Sequence, residues 1–240
     1  SILGRGVFQI KAVDQRDPGV NGESNLIVTD GSFGPGKIYF GDIHTHSQLS
    51  DGRLHPFDKY REVGLHRGCD FWALTDHGHD FSQERLDLLN RAMEKFNEPG
   101  RFATIHGFEW TSSMGRGEHY FRPIFGHRNI YFREPIETIH DAVQPHSESP
   151  RGLFDTYTKA GVEFFCVNHF HCGKPAMVEG VDFGIQVSGW CGDHLTDVRD
   201  NEYRPNNLTI YDCLDQGHRV GVYAGTDHGT EAYYTGLSAE

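Results

Sequence analysis

Short apolar runs alternate with helix-like stretches from Lys37 onward. The runs with strand character cover residues 38–43, 71–74, 102–108, 129–132, 162–167, 183–187 and 219–224. Between the second and third runs lies a stripe at helical spacing behind Ser82, a candidate N-cap. The stripe consists of Leu86, Leu89, Met93 and Phe96. Further helices are predicted to begin at Pro56 and to cover residues 205–215. This alternation is typical of a parallel α/β sheet or barrel.

The first 36 residues have a different composition. They are rich in Gly, Asp and Asn and end in the turn-forming stretch 31–36. We therefore predict an N-terminal arm or linker over residues 1–36, or the tail of another domain, and one principal domain over residues 37–240. Because the chain begins at Ser1 rather than Met, a removed signal peptide and further domains in the parent protein are both compatible with it.

Composition narrows the functional classes. A chain of 240 residues with 37% hydrophobic content can bury one sizeable core. Its formal net charge of −12 argues against nucleic acid as a partner, so an anionic substrate must meet local positive charge such as metal ions. No apolar run reaches transmembrane length, so we expect a soluble protein with no membrane partner, either cytoplasmic or exported. The five cysteines are odd in number and form no C-x-x-C pair, which favours free thiols.

Histidine is over-represented, with 16 copies, and many histidines and carboxylates follow the apolar runs. His44 and His46 form an H-x-H pair after the first run, and in extended backbone their rings point to the same side. The other such segments are 75–78, 106–110, 168–171 and 225–229. Because the carboxyl ends of parallel barrel strands share one face, these side chains are expected to converge on one cavity.

A metal cluster explains this convergence best. Any single residue of the set is equally well explained as a strand cap or a hydrogen-bonded core residue. Five strands that end in ligand-type residues are not, because buried carboxylates without cationic partners are costly. Imidazole nitrogen and carboxylate oxygen suit Zn, Mn or Fe ions. We therefore predict two to three divalent metal ions.

The ordered motifs resemble those of the PHP (polymerase and histidinol phosphatase) superfamily over residues 37–228. The matching stretches are His44-Thr45-His46-Ser47 with Ser50-Asp51-Gly52, Leu74-Thr75-Asp76-His77-Gly78, Glu109, His127, His169 and Gly225-Thr226-Asp227. The resemblance implies a distorted (β/α)7 barrel that holds up to three divalent metals and hydrolyses phosphoesters. Segments 107–111 and 126–130 also resemble a less characterised branch of the superfamily that is often attached to other domains.

The resemblance also implies a ligand set. His44 and His46 resemble ligands of a first metal with Asp51 as a neighbouring ligand, and Asp227 resembles the late ligand that returns to this metal. A second site is implied for His77, with Glu109 as a carboxylate that bridges two metals. The residues implied for the remaining site are His127 and His169.

Two motifs depart from the family pattern. The family usually has one residue between the last Asp and His, whereas Asp227 and His228 are adjacent here, so His228 is the less secure ligand. In the fifth-strand motif we favour His169 as the ligand and keep His171 as a proton donor or substrate contact. His119 competes with His127, which is favoured because it opens a strand.

The expected chemistry is attack on phosphorus by a hydroxide that bridges two metals, with Glu109 setting the metal spacing. Arg128, Arg53 and Lys174 are candidates to hold the non-bridging oxygens of a small-molecule or polymer-derived anionic ester. Either His171 or Asp76 is expected to protonate the leaving alkoxide.

Two rival functions remain open. An amidohydrolase-type barrel also begins with H-x-H and cleaves amides or esters, but it is expected to carry a Lys ligand at a strand end, and no strand here ends in Lys. A non-catalytic metal-binding or carbohydrate-binding module of a larger protein fits the Gly-rich arm and the aromatic content. The chain has no G-x-S-x-G, H-E-x-x-H or G-K-[ST] motif. Serine hydrolases lose support without the first of these motifs, and nucleotide-binding P-loop proteins lose support without the last.

Overall fold

The computed structural model describes residues 7–23, 27–28, 39–66, 68–111, 125, 127–142, 146–147, 149–169, 178–188, 214–219 and 221–227. The chain divides into two compact units, residues 1–40 and residues 41–240. The smaller unit carries two short antiparallel ladders, in which β1 (Val7–Phe8) pairs with β4 (Ile27–Val28) and β2 (Lys11–Val13) pairs with β3 (Asn21–Glu23). None of these strands belongs to the sheet of the larger unit.

The larger unit is built on a seven-stranded sheet whose spatial order equals the chain order. Its strands are β5 (Gly41–Asp42), β6 (Phe71–Ala73), β7 (Ala103–Thr111), β8 (His127–Phe132), β9 (Phe164–His169), β10 (Asp182–Ser188) and β11 (Gly221–Gly225). These overlap the seven strand predictions, but β7, β8 and β10 are longer than expected, β5 is shorter, and β9 is shifted by two residues. The sheet is mixed, however, because β8 runs antiparallel to both of its neighbours while the other pairs are parallel.

The two edges of the sheet approach each other just beyond β5 and β11. Thr45 and Asp227 form an isolated parallel bridge, and the backbone N–H of Asp227 donates to the carbonyl of His44 at 2.9 Å. Asp42 reinforces this junction, since its carboxylate accepts from the backbone N–H groups of His44 and Thr226. The sheet is therefore curled so that its first and last strands meet at their carboxyl ends.

Three α-helices lie within the described residues. The turn α1 (Pro56–Asp58) continues as a π-helix over Lys59–Leu65, and α2 (Gln83–Phe96) begins at the predicted cap, where Ser82 accepts from the N–H of Arg85. A third helix, α3 (Pro150–Lys159), was not predicted from the sequence. The helix predicted over residues 205–215 lies outside the described residues except for 214–215. No described helix combines the length and the apolar character that a membrane crossing requires.

Successive side chains along each strand point to opposite faces of the sheet, and this separates an apolar outer face from a polar inner face. Phe108 and Trp110 on β7 and Ile130 on β8 pack with α3 in one buried cluster, and Trp72 packs with α2 in another. On the opposite face of the same strands lie Glu109, His127 and Asn129, all buried, with a smaller apolar group around Ala73 and Tyr131 toward the other end of the strands. The inner face therefore holds the polar residues that packing alone does not explain.

The outer face also contains a buried ion pair. Arg128 is fully buried, and its guanidinium lies over the ring of Trp110. Its Nε and Nη2 atoms donate to the two carboxylate oxygens of Asp182, at 2.7 and 2.9 Å. Its Nη1 donates to the carbonyl of Phe125 at 2.7 Å. The pair joins β8 to β10 across the intervening strand.

Replacing Asp182 by Asn should destabilise the protein strongly, because the buried guanidinium of Arg128 would keep its charge while losing the carboxylate that accepts two of its hydrogen bonds. We expect a loss of about 3–5 kcal/mol in the free energy of unfolding, measured by urea denaturation. The exposed pair Arg133–Glu163 provides the control, since Arg133→Gln should cost at most about 1 kcal/mol. A similar, small loss in both variants would show that the buried pair is unimportant for stability.

Candidate metal centre

The inner-face polar residues meet at the carboxyl edge of the sheet. His44 and His46 follow β5, His77 follows β6, Glu109 lies on β7 and Asp227 follows β11. His127 reaches the same edge from the other direction, because β8 is antiparallel and begins where its neighbours end. The bridges Thr45–Asp227 and His77–Glu109 hold these segments side by side.

One group of potential ligands consists of His44, His46 and Asp227, all buried. The two Nε2 atoms lie 3.1 Å apart, and each lies 3.6 Å from Oδ1 of Asp227. Atoms bound to one ion at about 2.0–2.2 Å in tetrahedral geometry are separated by about 3.3–3.6 Å. The three atoms are therefore spaced as ligands of one ion would be.

A second group consists of His46, His77 and Glu109. Oε2 of Glu109 lies 2.9 Å from Nδ1 of His77 and 3.1 Å from Nε2 of His46, yet it accepts no hydrogen bond from the described residues. The other oxygen, Oε1, lies 2.8 Å from Nδ1 of His127. A buried carboxylate oxygen aimed at imidazole nitrogens without hydrogen bonds is well suited to a cation.

The charges in this cluster depend strongly on one another. Burial would raise the pKa of Glu109, but the neighbouring imidazoles of His77, His127 and His44 hold it well below its usual value. Burial would lower the pKa of His77, but the charge of Glu109 and a bond to Asp51 raise it to about 9. The pKa of His46 is likewise raised, because Asp51 and Glu109 outweigh burial. The carboxylates thus require positive charge here, either as protons or as metal ions.

The Nδ1 atoms of three of these histidines each have a side-chain partner outside the two ligand groups. His46 Nδ1 lies 2.5 Å from Asp51 Oδ1, His77 Nδ1 lies 2.9 Å from Thr111 Oγ1, and His44 Nδ1 lies 2.7 Å from Gln186 Nε2. Such contacts fix the tautomer and orientation of metal-binding imidazoles. Asp51, predicted as a ligand, is placed here as the partner of His46, with its second oxygen 3.4 Å from His77 Nε2.

Asp76 was predicted as a proton donor, but the structure gives its carboxylate another task. It accepts hydrogen bonds from the backbone N–H and the hydroxyl of both Ser47 and Ser50. Asp76 therefore anchors the loop that follows His46.

The structure does not bring Arg128 into the cluster, because its guanidinium lies on the outer face with Asp182. Arg53 is exposed in the turn after Asp51. The backbone of His169 lies opposite His127 and beside Gln186 in the sheet. The predicted residues His171 and His228 lie outside the described residues, as do His119 and Lys174.

The sequence did not predict the roles of three residues at the centre, which are Gln186, Thr111 and Asp42. Gln186 had one detectable signal, a long amide side chain inside the apolar run 183–187. Asp42 lies two residues before the H-x-H pair, which marks the position but not the bonds to Thr226. Thr111 carried no distinguishing signal.

Comparison with known proteins gives limited matches. A family model described as "Protein of unknown function (DUF3604)" matches residues 75–177. No curated protein matches the chain. A solved structure of a two-domain protein from Bacteroides vulgatus, described as containing a predicted PHP-like metal-dependent phosphoesterase, is 22% identical over 79% of this chain, with a TM-score of 0.46. This chain spans 52% of that protein's length. A putative metal-dependent phosphoesterase from Bifidobacterium adolescentis is 13% identical over 81% of this chain and 89% of its own, with a TM-score of 0.41.

Metal affinity should rise with pH, because the pKa values of His46 and His77 are raised and an ion must displace the protons that both imidazoles therefore keep. Below the pKa of about 9 for His77, the apparent affinity should increase about tenfold per pH unit for each proton displaced. Competition with a chromophoric chelator for Zn²⁺ between pH 6 and 8 measures this. The exposed His66 provides a control, since His66→Gln should give the same curve. An affinity independent of pH would contradict the charge balance described above.

Asp227 and His228 should differ in their effect on metal binding. Asp227 has a φ of 63°, a left-handed conformation that Asn also tolerates, so Asp227→Asn removes the charge while keeping the turn. We expect Asp227→Asn to lose about one ion per chain and His228→Ala to lose less, as elemental analysis would show. Equal losses would make both residues ligands, and a severe loss only in His228→Ala would show that the motif is aligned wrongly.

Proposed function

We propose that this protein is a metal-dependent hydrolase that cleaves phosphoric esters with at least two divalent ions. The observation that carries the proposal is Oε2 of Glu109, a buried oxygen that accepts no hydrogen bond from the described residues and faces imidazole nitrogens of His46 and His77. Protons on His46 and His77 could balance the charge of this oxygen, whereas an ion between the three residues would balance it without placing two imidazolium groups side by side.

The residues that would hold the ions carry the imidazole and carboxylate groups that bind divalent metals. His44, His46 and Asp227 would hold one ion, and His77 with Glu109 would hold another, with His127 at the second oxygen of Glu109. Nε2 of His46 belongs to both groups and has one lone pair, so it can bind one ion at a time. Nitrogen and carboxylate ligands without a thiolate suit Zn, Mn or Fe.

Bound ions of this kind lower the pKa of coordinated water and offset charge that develops on phosphoryl oxygens. The chain supplies the rest. Glu109 would hold the two groups together, Asp51 would orient His46, and the exposed Arg53, two residues after Asp51, would attract an anionic group. His171 remains our candidate to protonate the leaving alkoxide, because Asp76 is occupied by the serine loop.

An ester with negative charge is the substrate class that a centre of divalent ions in this chain would favour. The chain has a net charge of −12, which repels anions in general, so an anionic substrate would gain affinity only at a local centre of positive charge. Two or three divalent ions would provide that centre. The motif resemblance to phosphoesterases points to the same class, and the lack of a Lys at any strand end disfavours an amidohydrolase.

The metal-loaded protein should hydrolyse a member of a panel of phosphomonoesters and phosphodiesters, and Glu109→Gln should reduce kcat by at least about 100-fold. A neutral amide cannot balance two cations, and several kcal/mol of transition-state stabilisation correspond to such a factor. The control is Glu98→Gln, which changes an exposed pair with Arg101 and should retain full activity.

The rival functions give different results in the same assay. Turnover of amide or carboxylic ester substrates only would identify an amidohydrolase-type enzyme. A fully metal-loaded protein that cleaves no ester or amide would be a binding module. Full phosphoesterase activity in Glu109→Gln would remove Glu109 from the centre and overturn the proposal.

A further inference from the structure

Gln186 forms the closest polar contact to His44 among the described residues. Its side chain is buried on β10, where Nε2 lies 2.7 Å from Nδ1 of His44 and Oε1 lies 2.8 Å from Nδ2 of Asn129. Gly225 packs against the same pair, since a Cβ at this position would lie 2.6 Å from Cβ of His44 and 2.9 Å from Nε2 of Gln186. A glycine is therefore required for the imidazole and the amide to sit in this place.

The orientation of the Gln186 side-chain amide in this structure determines the tautomer of a neutral His44. Asn129 donates to Gln186, so the amide nitrogen of Gln186 donates to Nδ1 of His44, and the proton of a neutral His44 then lies on Nε2. A neutral His46 would have the opposite tautomer, because the Asp51 carboxylate accepts from Nδ1 and leaves a lone pair on Nε2. Nε2 of His44 can consequently donate to Nε2 of His46 across 3.1 Å.

Metal coordination through Nε2 of His44 demands the other tautomer. The proton must then be on Nδ1, which requires an acceptor at the position of the Gln186 nitrogen. A half-turn of the amide places Oε1 there and directs the nitrogen toward Asn129. A matching half-turn of Asn129 presents Oδ1, a buried oxygen that has no hydrogen-bond partner in the described structure. Both reversals leave the heavy-atom positions unchanged, because amide oxygen and nitrogen are nearly equal in size.

We propose that Gln186, supported by Asn129, is a positioning residue that selects the metal-binding tautomer of His44 by reversing its side-chain amide. The inference rests on the metal centre of the proposed function and extends it to two residues outside the ligand set. The amide pair can present either a donor or an acceptor, whereas the Asp51 carboxylate of His46 can present only an acceptor. The pair thus allows His44 to bond to His46 or to bind an ion.

The first test compares Zn²⁺ affinity in variants of the full chain. Gln186→Leu removes the acceptor and should weaken Zn²⁺ binding 10- to 100-fold, in the range known for lost partners of metal-bound histidines. Gln186→Glu keeps an acceptor at Nδ1 and should bind Zn²⁺ within a few-fold of the wild type. Asn90→Leu is the control, because it removes a half-buried amide that bonds only to the Ile136 carbonyl. Its affinity should equal that of the wild type.

The second test reads the tautomer directly by ¹⁵N NMR of the His44 ring. In the wild type, Zn²⁺ should move the His44 proton from Nε2 to Nδ1. Asn129→Asp can only accept from Gln186, so it should fix the reversed amide and give the Nδ1–H tautomer before Zn²⁺ is added. This variant keeps the proposal testable if Gln186→Leu fails to fold.

The outcomes separate the two hypotheses. Wild-type affinity in folded Gln186→Leu, an equal loss in Gln186→Leu and Gln186→Glu, or an unchanged Nε2–H tautomer on Zn²⁺ binding would each overturn the role of Gln186 while leaving the metal centre intact. If the wild type binds no Zn²⁺, Mn²⁺ or Fe²⁺, the metal centre itself is refuted and this inference falls with it.

Discussion

The Glu109 carboxylate is the point on which the rest of the site depends. It is almost fully buried on the inner face of β7, and its two oxygens are directed at imidazoles from three other segments of the chain. An isolated carboxylate in this position would be prohibitively costly, so the cluster must carry compensating positive charge. Protons on His46 and His77 can supply it, and divalent ions can supply it without the mutual repulsion of adjacent imidazolium groups.

The fold supplies this arrangement through the way the sheet closes. Asp42, Thr226 and the Thr45–Asp227 bridge bring the ends of β5 and β11 together, so that residues more than 180 positions apart lie side by side at the carboxyl edge of the sheet. The reversed direction of β8 delivers His127 to that edge from the start of a strand. The left-handed conformation of Asp227 turns the chain at the point where its carboxylate meets His44 and His46.

Most strands and most of the candidate ligands could be predicted from the sequence, because hydrophobic periodicity indicates burial and because ligand-type residues follow the apolar runs. The seven strands, the Ser82 cap and the convergence of His44, His46, His77, Glu109, His127 and Asp227 were all expected. The direction of β8 was not, since periodicity is the same for parallel and antiparallel strands. The short helix α3 was missed because its stripe of apolar residues is brief.

Roles that depend on a specific partner were the hardest to predict. Arg128 was a reasonable candidate for phosphate binding, but one position along a strand reverses the face, and Asp182 offers a buried counter-ion there. Asp76 looked like a proton donor, and only the fold shows the two serines that occupy it. Gln186 acts through a contact 142 positions away in the sequence, with His44, which no local pattern encodes.

We propose that divalent ions occupy the space between these ligand atoms. Crystals of protein prepared without chelators, with diffraction recorded on both sides of the Zn, Mn and Fe absorption edges, test it directly. We expect anomalous peaks about 2.0–2.3 Å from Nε2 of His44 or His46 and from a Glu109 oxygen, with at least two ions per chain. A crystal without anomalous density there, in which protons and water alone satisfy Glu109, would contradict it.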